Sequence, residues 1–382
     1  MIIAVPQETC PGEKRVALIP ASVPGLVKAG LEVLVQSGAG QAAGFADALY
    51  VEKGARIAPG RDEAFAADVI LQVRAAGANP KAGPADLPLS RKDQVLIAMC
   101  DPLGSPQPAA DWAARGVALF ALEMLPRITR AQSMDVLSSQ ATVAGYRAVL
   151  LGAIALPKMF PMLITAAGTI NAAKVFIVGA GVAGLQAIAT ARRLGAVISA
   201  YDVRPAVKEQ VQSLGAKFVE MGLESGQAEG KGGYAQQMDE EFYRKQREMM
   251  LRVVAESDLV ITTAAVPGKK APRLITAEMV ARMAPGSVIV DLAAERGGNC
   301  ELTRPGETLV SGGVTILGPL DLPADVPHHA SQLYSKNIAT FLQYLVKDGQ
   351  VRYDMDDEII RETLITRGGA VVQPRIQQLL GT

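Results

Sequence analysis

The stretch "AKVFIVGAGVAGLQAIATARRLGAVISAYDVR", Ala173 to Arg204, decides how this chain folds. A β-branched run, "KVFIV", leads into Gly179, Gly181 and Gly184, spaced G-x-G-x-x-G, and then into a helical pattern that opens at Val182. In that spacing the first glycine makes a tight turn, the second lets backbone approach a pyrophosphate, and the third allows close helix–strand packing. The following helix presents unbonded N–H groups and a partial positive charge to phosphates. A second run, "VISAY", ends at Asp202, 18 residues past Gly184. That is near the ~20 residues expected of an acid that accepts a ribose 2′-hydroxyl. A carboxylate there suits NAD and repels the 2′-phosphate of NADP, while Arg204 pulls the other way. The plain alternative is a glycine turn with no ligand. The strand before, the helix after and the acid in place favour a dinucleotide site.

Working outward, "AKFVEM", "DLVITTAA", "GSVIVDLAA" and "GVTILGP" continue this α/β series. Ahead of it, "IIAV", "LEVLVQS", "DVILQV", "QVLIAM" and "VALFALE" alternate with helical patterns such as "PAADWAARG". Alternation of this kind predicts parallel sheets covered on both faces. The fold class is therefore α/β, with two Rossmann-like parallel-sheet domains and an interdomain cleft. Residues 137–327 form the dinucleotide domain. Residues 1–136 form the other, completed by 328–382 through the helix "SQLYSKNIATFLQYLVKDG" and a polar tail that packs back on it.

The totals exclude several classes. Thirty-eight basic residues balance thirty-eight acidic ones, so no general field attracts nucleic acid or an anionic membrane. Three widely spaced cysteines, Cys10, Cys100 and Cys300, argue against a disulfide framework or a zinc site. The N-terminus lacks the pattern of a signal peptide. "AVLLGAIALPKMFPMLITAAG", Ala148–Gly168, imitates a membrane span, but Pro157, Lys158 and Pro161 interrupt it well short of ~20 residues. It reads as a buried helix and the connection after it.

Two further segments are candidates for a site. "PRITRAQSMDVLSSQ", Pro126 to Gln140, gathers Arg127, Gln132, Asp135 and Ser138 at the domain junction. One reading is a solvated hinge in which Ser133 or Asp135 caps the helix beginning near Val136. The other is the place where a nicotinamide ring projects, because ligands favour domain clefts. "MGLESGQAEGKGGYAQQM" carries five glycines and then Tyr234. A glycine-rich loop of that length is either a lid, with Tyr234 over the nucleotide, or a tolerated insertion.

A dehydrogenase of hydroxy or amino acids needs an acid or base near its substrate. His328 and His329 sit at a helix start, where a turn or cap role fits them. Glu295 follows a strand end, where it serves equally as a base or as part of a glycine turn. Hydride passing between two nicotinamide rings escapes the requirement, since positioning and a dry contact suffice.

The chain resembles the soluble NAD(H)-binding component, domain I, of proton-translocating NAD(P) transhydrogenases. The resemblance covers most of the chain. It rests on "PGEKRVALIP", "MLPRITRAQSMDVLSSQATVAGYRAVL", the glycine-turn block, "GGYAQQM", "ITTAAVPGKKAPRLIT" and "GSVIVDLAAERGGNCE". It implies that Arg127, Gln132 and Asp135 contact the nicotinamide end of NAD(H), with Ser138 nearby. Gly179, Gly181, Val182, Gly184, Asp202, Arg204 and Ala264 would hold the rest, and Tyr234 would close over it. It also implies a homodimer and a peripheral place on the inner face of the cytoplasmic membrane. The partners would be an NADP(H)-binding domain III on a beta subunit and membrane-spanning subunits on other polypeptides. No metal and no nucleic acid are expected.

The related alanine dehydrogenases share the "RVALIP"-type opening. They use a lysine where this chain has Arg74, and a histidine where it has Cys100 and Asp101; Arg15 persists. These departures argue against amino-acid oxidation, which stands as the competing enzyme reading. A non-catalytic NAD sensor is the competitor from another class.

Overall fold

The computed structural model describes residues 1–220, 240–266 and 268–381. The chain divides into two compact units, Met1–Gln140 with Pro323–Thr382, and Ala141–Leu322. The boundary falls inside a long helix, Val136–Ala155.

The first unit opens with six strands: β1 (Ile2–Val5), β2 (Glu32–Gln36), β3 (Arg56–Ala58), β4 (Val69–Arg74), β5 (Val95–Met99) and β6 (Ala118–Ala121). They pair in parallel in the order β3-β2-β1-β4-β5-β6. Alternate side chains of the same strands feed two separate cores. Ile3, Val5, Leu71, Val73 and Ile97 face one, while Ala4, Ile70, Leu96 and Ala98 face the other. That double burial is why these strands read as continuous apolar runs.

In the second unit, β7 (Leu163–Thr165) and β8 (Gly168–Ile170) form a separate antiparallel hairpin. The sheet comes next, with β9 (Lys174–Val178), β10 (Val197–Tyr201), β11 (Lys217–Phe218), β12 (Leu259–Thr262), β13 (Val288–Asp291), β14 (Thr308–Ser311) and β15 (Val314–Leu317). Its order is β11-β10-β9-β12-β13-β15-β14, parallel except for the edge strand β14. Val175, Ile177 and Ile261 pack on one face and Phe176, Val260 and Ile289 on the other.

The chain then returns to the first unit through the helix Pro327–Leu345 and a short hairpin, β16 (Val346–Lys347) with β17 (Gln350–Val351). The polar tail adds β18 (Leu364–Arg367), antiparallel to β6, and β19 (Ala370–Val371), antiparallel to β18. Each sheet is thus a parallel core finished by antiparallel edge strands.

The apolar stretch Ala148–Gly168 departs from its reading as buried helix plus connection. The helix ends at Ala155, two residues ahead of Pro157, and the segment beyond it includes the β7–β8 hairpin with Ile164 and Ile170 exposed. Among the described residues no helix is long and apolar enough to cross a membrane.

Candidate functional site

The order of the second sheet reverses between β9 and β12, and open α/β sheets bind ligands outside the strand ends at such a switch point. The register sets Tyr201, Val178, Thr262 and Asp291 side by side along that edge. The glycine turn stands directly on it.

Each glycine of the turn has a visible reason. Gly179 has φ 98°, a left-handed conformation, and a methyl there would lie 2.6 Å from Thr263 Oγ1. A methyl on Gly184 would fall 1.9 Å from the Gly179 carbonyl oxygen, so the helix Val182–Arg193 seats against the turn only because that methyl is absent. A methyl on Gly181 would meet nothing nearer than Arg204 Nη2, at 3.9 Å. The backbone is therefore bare on the side where a pyrophosphate would lie. Val182 begins the helix with its side chain exposed, and Gly181 is the N-cap without any side-chain cap bond. These features fit the phosphates of a dinucleotide.

Asp202 is buried beside the turn. Its Oδ2 accepts the Ala180 amide at 2.7 Å and Arg204 Nη2 at 2.8 Å; its Oδ1 accepts the Arg204 amide and Nε, each at 2.9 Å. The arginine that argued for a 2′-phosphate is thus held by the acid that argues against one. On the other side of the switch point, Thr263 Oγ1 donates to the Gly179 carbonyl at 2.9 Å, and Ala264 follows it. Gly179, Gly181, Val182, Gly184, Asp202, Arg204 and Ala264 thus lie in one unit, along one sheet edge.

The polar loop belongs to the first unit. Thr129–Met134 is a 3-10 turn, and Asp135 follows it as the cap of the long helix. Asp135 Oδ1 accepts the Ser138 amide at 2.9 Å and Oδ2 accepts Ser138 Oγ at 2.5 Å. Asp135, rather than Ser133, does the capping, and Ser133 offers its carbonyl to Asn337 Nδ2 at 2.8 Å. Arg130 has a structural task, bonding Tyr344 and Asp357. Arg127 and Gln132 both have exposed side chains.

A family model described as "Alanine dehydrogenase/PNT, N-terminal domain" matches residues 4–144, and its C-terminal counterpart matches residues 148–374. A Rhodospirillum rubrum protein named as the first part of the NAD(P) transhydrogenase alpha subunit is 46% identical over 98% of this chain and 99% of its own length. A transhydrogenase structure from Sinorhizobium meliloti superposes with a TM-score of 0.86 at 47% identity, covering 97% of this chain and 100% of that one. An L-alanine dehydrogenase structure reaches 0.83 at 28% identity, covering 100% and 99%. The chain belongs to the alanine dehydrogenase/PNT family, alongside the NAD(P) transhydrogenase alpha subunits.

In the first unit, Arg15 follows β1, Arg74 ends β4, and Cys100 and Asp101 follow β5. Arg15 is buried and forks onto Glu13, with Nε to Oε1 at 2.7 Å and Nη2 to Oε2 at 2.6 Å; Nη1 reaches Gln140 Oε1 at 2.8 Å. Arg74 Nε stands 3.4 Å from Glu13 Oε2. Cys100 is buried, and its amide and that of Asp101 both donate to Glu123 Oε1. Burial pushes the Glu123 carboxyl up to about 7, against the opposing pull of those amides. Glu8 is pushed to about 8 by burial and then by the Glu13 charge.

Other candidates resolve differently. Neither histidine caps its helix: His328 stacks on Phe45 at 4.5 Å and bonds the Ala43 carbonyl at 3.0 Å, and the helix has no side-chain cap bond. Glu295 is exposed in a short 3-10 turn ahead of Gly297 and Gly298, both left-handed. Tyr234 and its glycine-rich loop lie outside the described residues. Among those described, no group of three His, Cys, Asp or Glu side chains could hold a metal. Sequence reasoning missed Thr263, Gln140 and Asn299, whose partners are remote in the chain.

Proposed function

We propose that this chain is the NAD(H)-binding component of a proton-translocating NAD(P) transhydrogenase. The observation that carries the reading is the Asp202 carboxylate. It is fixed against the glycine turn by the Ala180 amide and holds Arg204 by a bidentate pair, which suits a 2′-hydroxyl over a 2′-phosphate. In this reading the bare backbone of the turn and the helix start at Val182 hold the pyrophosphate, and Ala264 lines the remaining half. Arg127, Gln132 and Asp135, with Ser138, fix the carboxamide and ribose of the nicotinamide end. Tyr234 covers the nucleotide.

When bound, NADH supplies a hydride at the nicotinamide C4 to NADP+ on a partner, so no proton moves at either carbon. The chain's own residues then have to position a ring and exclude water. Arg74, Cys100 and Asp101 are consistent with this, since they stand where an amino-acid dehydrogenase needs its lysine and histidine. The partner is an NADP(H)-binding domain III on the beta subunit. Membrane-spanning subunits couple the exchange to proton movement and hold this chain on the inner face of the cytoplasmic membrane. The exposed apolar residues Met162, Ile164 and Ile170 around the β7–β8 hairpin support a homodimer.

The test mixes the chain with an NADP-binding partner, NADH and an NAD analogue of shifted absorbance. Pyruvate with ammonium forms a separate arm. Reduction of the analogue that needs both proteins and NADP(H) is expected. NADH consumed by pyruvate and ammonium, with no reduction of the analogue, would make this an amino-acid dehydrogenase.

A further inference from the structure

The loop that follows β12 is held from outside by one buried side chain. Asn299 is fully buried, directly after the left-handed pair Gly297 and Gly298. Its Oδ1 accepts the Ala264 amide at 3.0 Å, while its Nδ2 donates to the Ala264 carbonyl at 2.8 Å and to the Pro272 carbonyl at 2.8 Å. Both amide hydrogens and the carbonyl are used, so the side chain pairs with Ala264 as a neighbouring strand would. Asn299 is itself anchored through Asp291, which is fully buried. Asp291 Oδ2 accepts the next amide, Cys300, at 2.9 Å and Thr303 Oγ1 at 2.7 Å; Oδ1 accepts Thr262 Oγ1 at 2.9 Å and the Ala293 amide at 3.0 Å. A methyl on Gly298 would lie 2.8 Å from Asp291 Oδ2, so the turn has no room for a side chain there.

These bonds run onward to the glycine turn. Thr263, the residue before Ala264, donates its hydroxyl to the Gly179 carbonyl. With the adenosine ribose assigned to Asp202 at the end of β10, the rest of a dinucleotide crosses β9 toward β12 and meets this loop. We propose that Asn299 is a positioning residue for nucleotide binding, fixing the Thr263–Ala264 backbone against the glycine turn without touching the ligand. The inference rests on the NAD(H) reading above. The geometry also specifies the residue type. Aspartate has the acceptor but neither donor, and glutamine is a methylene too long.

The experiment is NADH titration of the full chain by nucleotide fluorescence between pH 6 and 8, for the unaltered protein, Asn299→Asp and Asn299→Ala. In Asn299→Asp a carboxylate would face the carbonyls of Ala264 and Pro272, and a proton on it restores one donor. Its NADH affinity is expected to fall on the order of tenfold at pH 8 and to recover in part toward pH 6. Asn299→Ala should be weak at every pH, and the unaltered chain nearly flat. Amide exchange of the nucleotide-free Asn299→Ala protein gives a readout that needs no ligand: Ala264 should exchange faster than in the unaltered chain. Where the Asn299 variants do not fold, Thr263→Ala tests the adjoining link and should weaken NADH severalfold. NADH binding unchanged in the variants, or Ala264 exchange unaltered, would overturn the proposal alone. An unaltered chain that binds no NADH would overturn the NAD(H) reading and this inference with it.

Discussion

Four donors converge on the two oxygens of Asp202, three of them from Arg204. In the proposed reading, a ribose hydroxyl bonds the carboxylate by displacing or sharing one of them. Asp202→Ala is expected to weaken NADH by about tenfold to a hundredfold, the range for charge-assisted bonds. Because Arg204 then loses its partner, NADPH should lose far less, and the preference between the two should narrow in parallel titrations. Equal losses for both would leave Asp202 a merely structural acid. Gln132→Ala should keep NADH affinity and slow hydride transfer, since its exposed side chain is free to position a ring. Asp202 was legible in the sequence because a strand end and a fixed spacing mark it. Asn299 was not, because its partner Ala264 lies on another strand's loop and nothing local announces the pairing.

At the scale of elements, the carboxyl ends of β4 to β6 carry a strain that pH can read. Glu123 Oε1 takes two amides while Oε2 is buried with no hydrogen-bond partner among the described residues. Asp101 sits at φ 48°, where a non-glycine residue is uncommon. With its carboxyl raised from 4.5 to about 7, the folded state favours protonated Glu123. Its contribution is present below about 4.5 and is lost as pH rises through about 7. Glu123→Gln should therefore match the unaltered chain in thermal unfolding near the acid end. It should exceed it by about 1–3 kcal/mol above pH 7. A difference that does not change with pH would remove Glu123 as its source. The buried parallel strands were legible as apolar runs, but β14, β18 and β19 were not. Both hairpins they form turn on a Gly-Gly pair, Gly312–Gly313 and Gly368–Gly369, all left-handed. Gly-Gly between extended runs is a recognised hairpin signal, here obscured by polar flanks.

Across the whole molecule, the sequence carried the α/β class and both parallel series, because strand–helix alternation and the glycine turn are local patterns. It did not carry the antiparallel finish of either sheet, which depends on segments that meet far apart in the chain. The two sheets share the order 3-2-1-4-5 in their parallel cores, and the second sets its glycine turn at the switch point, where the first has Glu8 accepting the Val73 and Arg74 amides. The first also closes its switch-point arginine with Glu13 and Gln140. The second switch point therefore carries the proposed nucleotide site. The most direct test supplies NADH deuterated at the transferred position to the chain and its NADP-binding partner in ordinary water, then reads the NADPH by mass spectrometry. Ring-to-ring transfer predicts deuterium retained at C4 of the NADPH with no washout. Label appearing in water would contradict it.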